Sequence, residues 1–154
     1  MVGAGNPRAA EIAARCALFP GCRYHHQTDQ MARLMLGSDL AIGAGGSATW
    51  ERAFLGLPAL VFIVADNQRV LTQFLHHQGA LESLGEAATV TATRIRQAIQ
   101  TFQADPSRLH AMSARALALF DDTYRGAEAL AAAMVTQARG GEWPAGLGER
   151  LMGL

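Results

Sequence analysis

The segment Ser38-Asp39-Leu40-Ala41-Ile42-Gly43-Ala44-Gly45-Gly46-Ser47-Ala48-Thr49-Trp50-Glu51 holds the residues whose order could bind a charged ligand. A short apolar run enters a loop with three glycines, and a helical stretch begins directly after it. Glycine admits positive φ and lets a ligand approach the main chain closely. The first turn of a helix leaves amide N–H groups without partners and carries roughly half a positive charge. Together these features describe an anion site suited to a phosphate or diphosphate, and the hydroxyls of Ser47 and Thr49 would add donors. The same residues also suit a tight strand-to-helix turn that needs glycine for geometry alone. No Gly-Lys-Ser/Thr follows, which argues against a Walker loop. The spacing of Gly43, Gly45 and Gly46 does not fit Gly-x-Gly-x-x-Gly, which argues against a dehydrogenase.

Two other polar groups fit the same chemistry. Glu51 stands early in the helix, where its charge suits the dipole. With a phosphate in the loop, a ribose would lie near the first helical turns, and a carboxylate there can accept from both hydroxyls. Asp66-Asn67-Gln68 follows the most apolar run at its carboxyl end, where ligands collect in open α/β sheets. Asn67 and Gln68 could hydrogen-bond a sugar, or Asp66 or Asn67 could simply cap a helix. Gly3-Ala4-Gly5-Asn6-Pro7 repeats the strand–glycine–helix order. Three loops of one design, all at carboxyl ends, point to a nucleotide crevice.

The elements that must position these groups follow from pattern. Asn6-Pro7 opens a helix with Asn6 as N-cap and Pro7 in the first turn, closed at Pro20-Gly21. Residues 23–26 form a short strand, and Asp29 caps a helix that ends at Gly37. Leu40-Ala41-Ile42 is a brief strand, and a helix from 49 to 55 stops at Gly56. Residues 59–64 are continuous and β-branched, as expected of a strand covered on both faces. Asp66-Asn67-Gln68 opens a helix closed by Gly79. Strand and helix alternating at this spacing imply right-handed βαβ units and a parallel sheet. After residue 85 the pattern is helical, with starts at Thr91 or Thr93, at Asp105-Pro106 and near 127. The expected architecture is a Rossmann-like α/β domain over residues 1–139, with helices on both faces of a parallel sheet, a helical C-terminal region, and a tail over 140–154. Trp143, in that tail, would anchor the end of the chain.

Composition narrows the partners. The chain has 154 residues, half of them hydrophobic, with 13 basic and 13 acidic side chains. One domain of this size can bury its own core, and the apolar fraction excludes disorder. Every basic residue is arginine, and they are scattered, so no nucleic-acid groove is expected. The longest apolar run, residues 57–65, contains Pro58 and falls short of the ~18 residues of a membrane span. No basic leader precedes an apolar stretch, so a cytoplasmic protein is expected. Cys16 and Cys22 form no Cys-x-x-Cys arrangement, and reduced thiols are the default. His25-His26 and His76-His77 are adjacent pairs whose rings diverge on a strand or a helix, so neither pair suits one metal. No metal and no cofactor is expected.

The block Gly43-Ala44-Gly45-Gly46-Ser47-Ala48-Thr49-Trp50-Glu51-Arg52, with Leu55-Gly56-Leu57-Pro58 and Asn67-Gln68, resembles the C-terminal half of the UDP-sugar hydrolases of pseudaminic acid biosynthesis. Val2-Gly3, Asn6-Pro7, Met31-Ala32, Leu34-Met35 and Gly79-Ala80 extend the likeness over residues 2–130. The same block is more loosely similar to the bacterial glycosyltransferase that makes lipid II from UDP-N-acetylglucosamine. The resemblance implies the C-terminal half of a GT-B fold that binds UDP or a UDP-linked amino sugar, without an obligatory metal. It implies main-chain contacts to the diphosphate from Gly45, Gly46, Ser47, Ala48 and Thr49, ribose held by Glu51, and sugar faced by Asn67 and Gln68. It places the uracil near Gln27 and Thr28, with Gly5 and Asn6 closing over the phosphates. The family's general base is a histidine of an N-terminal domain, so catalytic residues are expected outside this chain, and Met1-Val2 reads as a clipped first strand. On this reading the chain is the UDP-binding half of a nucleotide-sugar hydrolase of surface polysaccharide biosynthesis. The donor-binding half of a glycosyltransferase and a non-catalytic nucleotide-sugar-binding domain are the alternatives. The segment Asp121-Asp122-Thr123-Tyr124-Arg125-Gly126-Ala127 departs from the family's Asp-Gly pattern before Gly-Ala.

Overall fold

The computed structural model describes residues 1–120. The expected helix near 127–138, Trp143 and the tail at 140–154 lie outside the described residues. The described chain separates into two compact units, Met1–Leu34 and the part from Met35 onward.

The larger unit is built on a three-stranded parallel sheet, β1 (Ala41–Ala44), β2 (Ala59–Ile63) and β3 (Glu82–Glu86), in the order β1-β2-β3. The central strand carries Ala59-Leu60-Val61-Phe62-Ile63, and alternation sends neighbouring side chains to opposite faces. Ala59 and Val61 join Ala53, Leu75, Ala80, Leu81, Ala116 and Phe120 in one buried cluster. Leu60 joins Leu84, Phe102 and Met112 in another, with Phe62 packed against it. Helices therefore cover both faces of the sheet. The crossovers α3 (Ala48–Phe54) and α4 (Arg69–His77) contribute to the first cluster, and α5 (Ala92–Ala104) lies over the second. The helix α6 (Ser107–Leu117) reaches both through Met112 and Ala116.

Local chemistry explains where these helices end. α3 closes with Gly56 N–H on Ala53 O and Leu57 N–H on Arg52 O. α4 repeats the pattern with Gly79 N–H on His76 O and Ala80 N–H on Leu75 O. Both are Schellman closures, and both glycines take the left-handed φ that the motif demands, +66° and +67°. Thr91 caps α5 by accepting from Arg94 N–H, and Asp105 Oδ1 accepts from Ser107 N–H at the start of α6.

Three expectations for this unit are corrected. β3 was not anticipated, because Glu82-Ser83-Leu84-Gly85-Glu86 has a single large apolar side chain and a glycine at φ +89°, with a bulge opposite Val61/Phe62. Asp66–Gln68 forms a 3-10 turn, and the α-helix begins only at Arg69. The strand expected at Leu40 starts one residue later and runs on through Gly43 to Ala44.

The smaller unit contains α1 (Ala9–Cys16) and one parallel bridge between Val2 and His26, with Val2 N–H on His25 O and Gln27 N–H on Val2 O. Residues 23–26 thus contribute that bridge in place of a full strand. Asn6 does not cap α1 directly. Its Oδ1 accepts from Arg8 N–H at 2.9 Å, a local turn that delays the helix to Ala9. The helix α2 (Met31–Leu36) follows, with Thr28 Oγ1 accepting from Gln30 N–H before it.

Candidate functional site

The β1–α3 junction is the centre of the candidate site. Gly45 N–H continues the sheet by donating to Phe62 O at 3.1 Å, and Thr49 N–H donates back to Gly46 O at 2.9 Å. Between them, the amides of Gly46, Ser47 and Ala48 have no acceptor among the described residues. Ser47 holds the N-cap position in helical conformation without a side-chain cap, so its exposed hydroxyl also stays available. The five-residue set read from sequence therefore divides. Gly45 and Thr49 spend their amides inside the fold, and 46–48 present theirs outward.

Thr49 turns its side chain into the protein, where its hydroxyl accepts from Arg52 Nη2 at 2.9 Å. The same Nη2 donates to Ala44 O at 2.9 Å. Arg52 is only 7% exposed and forms no ion pair among the described residues. Its Nε is buried without an acceptor. Burial pulls its pKa below the ordinary arginine value, and the neighbouring Glu51 charge partly opposes this. Glu51 lies in the first turn of α3, half-buried, with its carboxylate free of hydrogen bonds and ion pairs among the described residues.

The second polar group comes to the same end of the sheet, because β1 and β2 are parallel and both continue into loops there. Val64 N–H donates to Gln68 Oε1 at 3.1 Å, which fixes the amide's orientation. Gln68 Nε2 consequently lies 3.8 Å from the point a Gly46 Cβ would occupy. Gln68 thus faces the glycine loop, while Asn67 is exposed on the 3-10 turn. Arg69 braces that turn: Nη2 donates to Asp66 Oδ1 at 3.0 Å, and Nη1 to Glu86 Oε1 at the end of β3. These contacts hold the Arg69 guanidinium above its ordinary pKa, the Asp66 hydrogen bond contributing most.

Gly5 and Asn6 belong to the smaller unit, where they follow the Val2 bridge and precede α1. A Cβ at Gly5 would meet nothing within 4 Å. Gln27 has φ +46°, and Tyr24 stacks on His26 with ring centroids 6.3 Å apart. His76 and His77 are exposed at the end of α4, His110 is exposed on α6, and Trp50 packs edge-on against Phe120. Among the described residues no cluster of His, Cys, Asp or Glu could hold a metal ion. No described helix is long and apolar enough to cross a membrane. A groove of about 670 Å³ lies at the other end of the strands, bordered by Leu40, Pro58, Phe102 and Leu109. Ligands of open α/β sheets bind at the carboxyl ends, so this groove is not the counterpart of the glycine loop.

Sequence reasoning passed over Arg52 as a functional residue. The signal was present: position 52 lies three residues after Thr49, on the face of α3 that also buries Ala53.

Residues 4–130 match the family described as Glycosyltransferase family 28 C-terminal domain. The chain is 31% identical over 110 residues to the spore coat polysaccharide biosynthesis protein SpsG of Bacillus subtilis (strain 168). That alignment covers 71% of this chain and 32% of SpsG, so the chain spans about a third of that relative's length. No solved structure gives a significant match.

Proposed function

From the premise that the chain belongs to the glycosyltransferase family 28 C-terminal domain family, we propose that it is the nucleotide-sugar-binding half of an enzyme of polysaccharide biosynthesis. The amides of Gly46, Ser47 and Ala48 hold the diphosphate of a UDP-sugar, Glu51 accepts from the ribose hydroxyls, and Asn67 faces the sugar. Gln68 stands between diphosphate and sugar. The main chain at Gly45 and Thr49 shapes the loop. The observation that carries this reading is the row of three amides without an acceptor, beside a carboxylate without a partner one turn on, among the described residues.

In the reaction proposed first, water attacks the anomeric carbon and its proton passes to a base on an N-terminal domain. The carbon–oxygen bond to the diphosphate breaks, and UDP leaves with the electron pair. This half supplies fixed amide dipoles where negative charge grows on the leaving group. Pseudaminic acid biosynthesis is the pathway proposed for it. The family match favours a second reading, transfer of the sugar to an acceptor hydroxyl, which uses the same leaving-group site.

Calorimetry with UDP, UDP-N-acetylglucosamine and ADP tests the site on this chain. The expected result is UDP binding, preference for UDP over ADP, and weakening by about tenfold in Glu51→Ala, as for the loss of a charged hydrogen-bond partner. Absence of UDP binding at millimolar concentration, or an unchanged affinity in Glu51→Ala, refutes the assignment.

A further inference from the structure

Arg52 presents a physical problem that the fold does not solve. A buried cation is normally matched by a carboxylate, because leaving water is costly and Coulomb attraction must offset it. No such carboxylate stands within ion-pair distance of Arg52 among the described residues. Only Nη2 is engaged, on Ala44 O and Thr49 Oγ1. Nε is buried without a partner, and Nη1 makes no hydrogen bond among the described residues while lying 3.1 Å from where a Gly43 Cβ would stand. A methionine of similar length would fill the space without that penalty. A local rule broken in this way marks a site where function outweighs stability.

The position of the guanidinium suggests what balances it. Its two hydrogen bonds join the last residue of β1 to the first turn of α3, so it spans the base of the loop whose amides face outward. Gly46 is two residues from Ala44, which places their Cα atoms at most about 7 Å apart. Charges separated by less than the Debye length of about 8 Å at physiological salt still interact. A buried charge at the base of this loop would be screened less toward an anion on the amides of 46–48 than an exposed one.

We propose that Arg52 is the fixed counter-charge of the candidate phosphate site: a positioning residue that holds the β1–α3 loop in shape from beneath and lends its positive charge to the diphosphate of the bound nucleotide. The inference rests on the reading of the loop as a diphosphate site and adds the residue that gives the site its charge. In a chain without a basic cluster, selectivity for a dianionic diphosphate over a neutral ligand is assigned to this one buried group.

The test compares the 154-residue chain with Arg52→Gln, Arg52→Met and Arg52→Lys, using calorimetry with UDP, inorganic pyrophosphate and uridine, and thermal melting without ligand. Arg52→Gln removes the charge while remaining a neutral hydrogen-bond donor. It is expected to weaken UDP and pyrophosphate by about tenfold to a hundredfold and to leave uridine unchanged. Arg52→Met is expected to stay folded, with a cooperative melt, while losing pyrophosphate affinity to the same degree, a split that a merely architectural arginine would not produce. Arg52→Lys restores part of the pyrophosphate affinity, because the charge returns without the planar fork. UDP affinity in Arg52→Gln within about twofold of the wild type overturns the inference while leaving the nucleotide site standing. Unfolding of all three variants also overturns it, by assigning Arg52 to architecture. A wild type that binds pyrophosphate but not UDP refutes the nucleotide reading and leaves Arg52 judged on pyrophosphate alone. A wild type that binds neither overturns both.

Discussion

Gly45→Ala places a methyl group where the structure has no room for one. A Cβ at this position would collide with Thr72 Oγ1 and stand 3.4 Å from Gln68 Cβ and 3.5 Å from Val61 Cγ1. The last two are ordinary contacts, and the first forces movement. Thr72 is fully buried in α4, with Leu75 equally buried three residues on, so the helix cannot retreat without opening the core. The alternative is to loosen the Gly45 N–H bond to Phe62 O, which extends the β1–β2 pairing. Overpacking a filled site costs about 1–3 kcal/mol, and an overlap this deep belongs in the upper half of that range. Thr72→Ala alone should be nearly neutral. It loses a buried methyl group worth about 0.8 kcal/mol. It also removes a hydroxyl buried without a partner, a burden of about 1–3 kcal/mol. The double variant should therefore regain at least about 1 kcal/mol of what Gly45→Ala loses, a coupling typical of residues in contact. Urea unfolding followed by circular dichroism measures all four corners of the cycle. If Gly45→Ala lies within about 0.5 kcal/mol of the wild type, or the two changes add to within that error, the packing argument is wrong.

Other changes probe separate parts of the molecule. Gly56→Ala combines φ +66° with a contact of 2.8 Å to Leu117 Cγ, and should cost about 2 kcal/mol or more in urea unfolding. Arg69→Ala removes two solvent-screened ion pairs, so it should shift urea unfolding only slightly, and the shift should shrink further at high salt. Gly46→Ala should not lower stability in urea unfolding, because its Cβ would meet only Gln68 Nε2 at 3.8 Å, yet should weaken UDP binding measured by calorimetry if a ligand approaches this loop closely.

The parts of the fold that were legible are those that sequence chemistry decides locally. Gly56 and Gly79 read as helix stops because only a residue without a Cβ accepts the left-handed closure, and the chain adopts it at both. The central strand read clearly because Val61 and Leu60 must be apolar on both faces. β3 was hidden for the opposite reason. Its flanking Glu82 and Glu86 are half-buried at the margin of the described sheet, where little apolar side chain is needed, and Gly85 breaks the alternation. Its strand character comes from pairing with β2, a tertiary influence that no local pattern records. Gln68 and Arg52 were obscured similarly. The first is aimed by a hydrogen bond from Val64, and the second by the strand end it reaches eight residues back.

The three glycines of the loop, alike on paper, have different causes in the structure, and this bears on whether the loop is a site or only a turn. Gly43 is small because the Arg52 guanidinium lies against it, 3.1 Å from the would-be Cβ. Gly45 is small because Thr72 fills its side. Packing therefore accounts for both without any ligand. Gly46 is different: its nearest neighbour is Gln68 Nε2 at 3.8 Å, an ordinary contact, and its φ is not left-handed. An alanine would fit there, and in a loop it would reduce the freedom of the unfolded chain and so add stability. A turn built for geometry alone has no use for that glycine. On the proposed reading, close approach of a ligand to the amides of 46–48 does, and the charge of Arg52, without an ion pair among the described residues, would favour the same negative ligand.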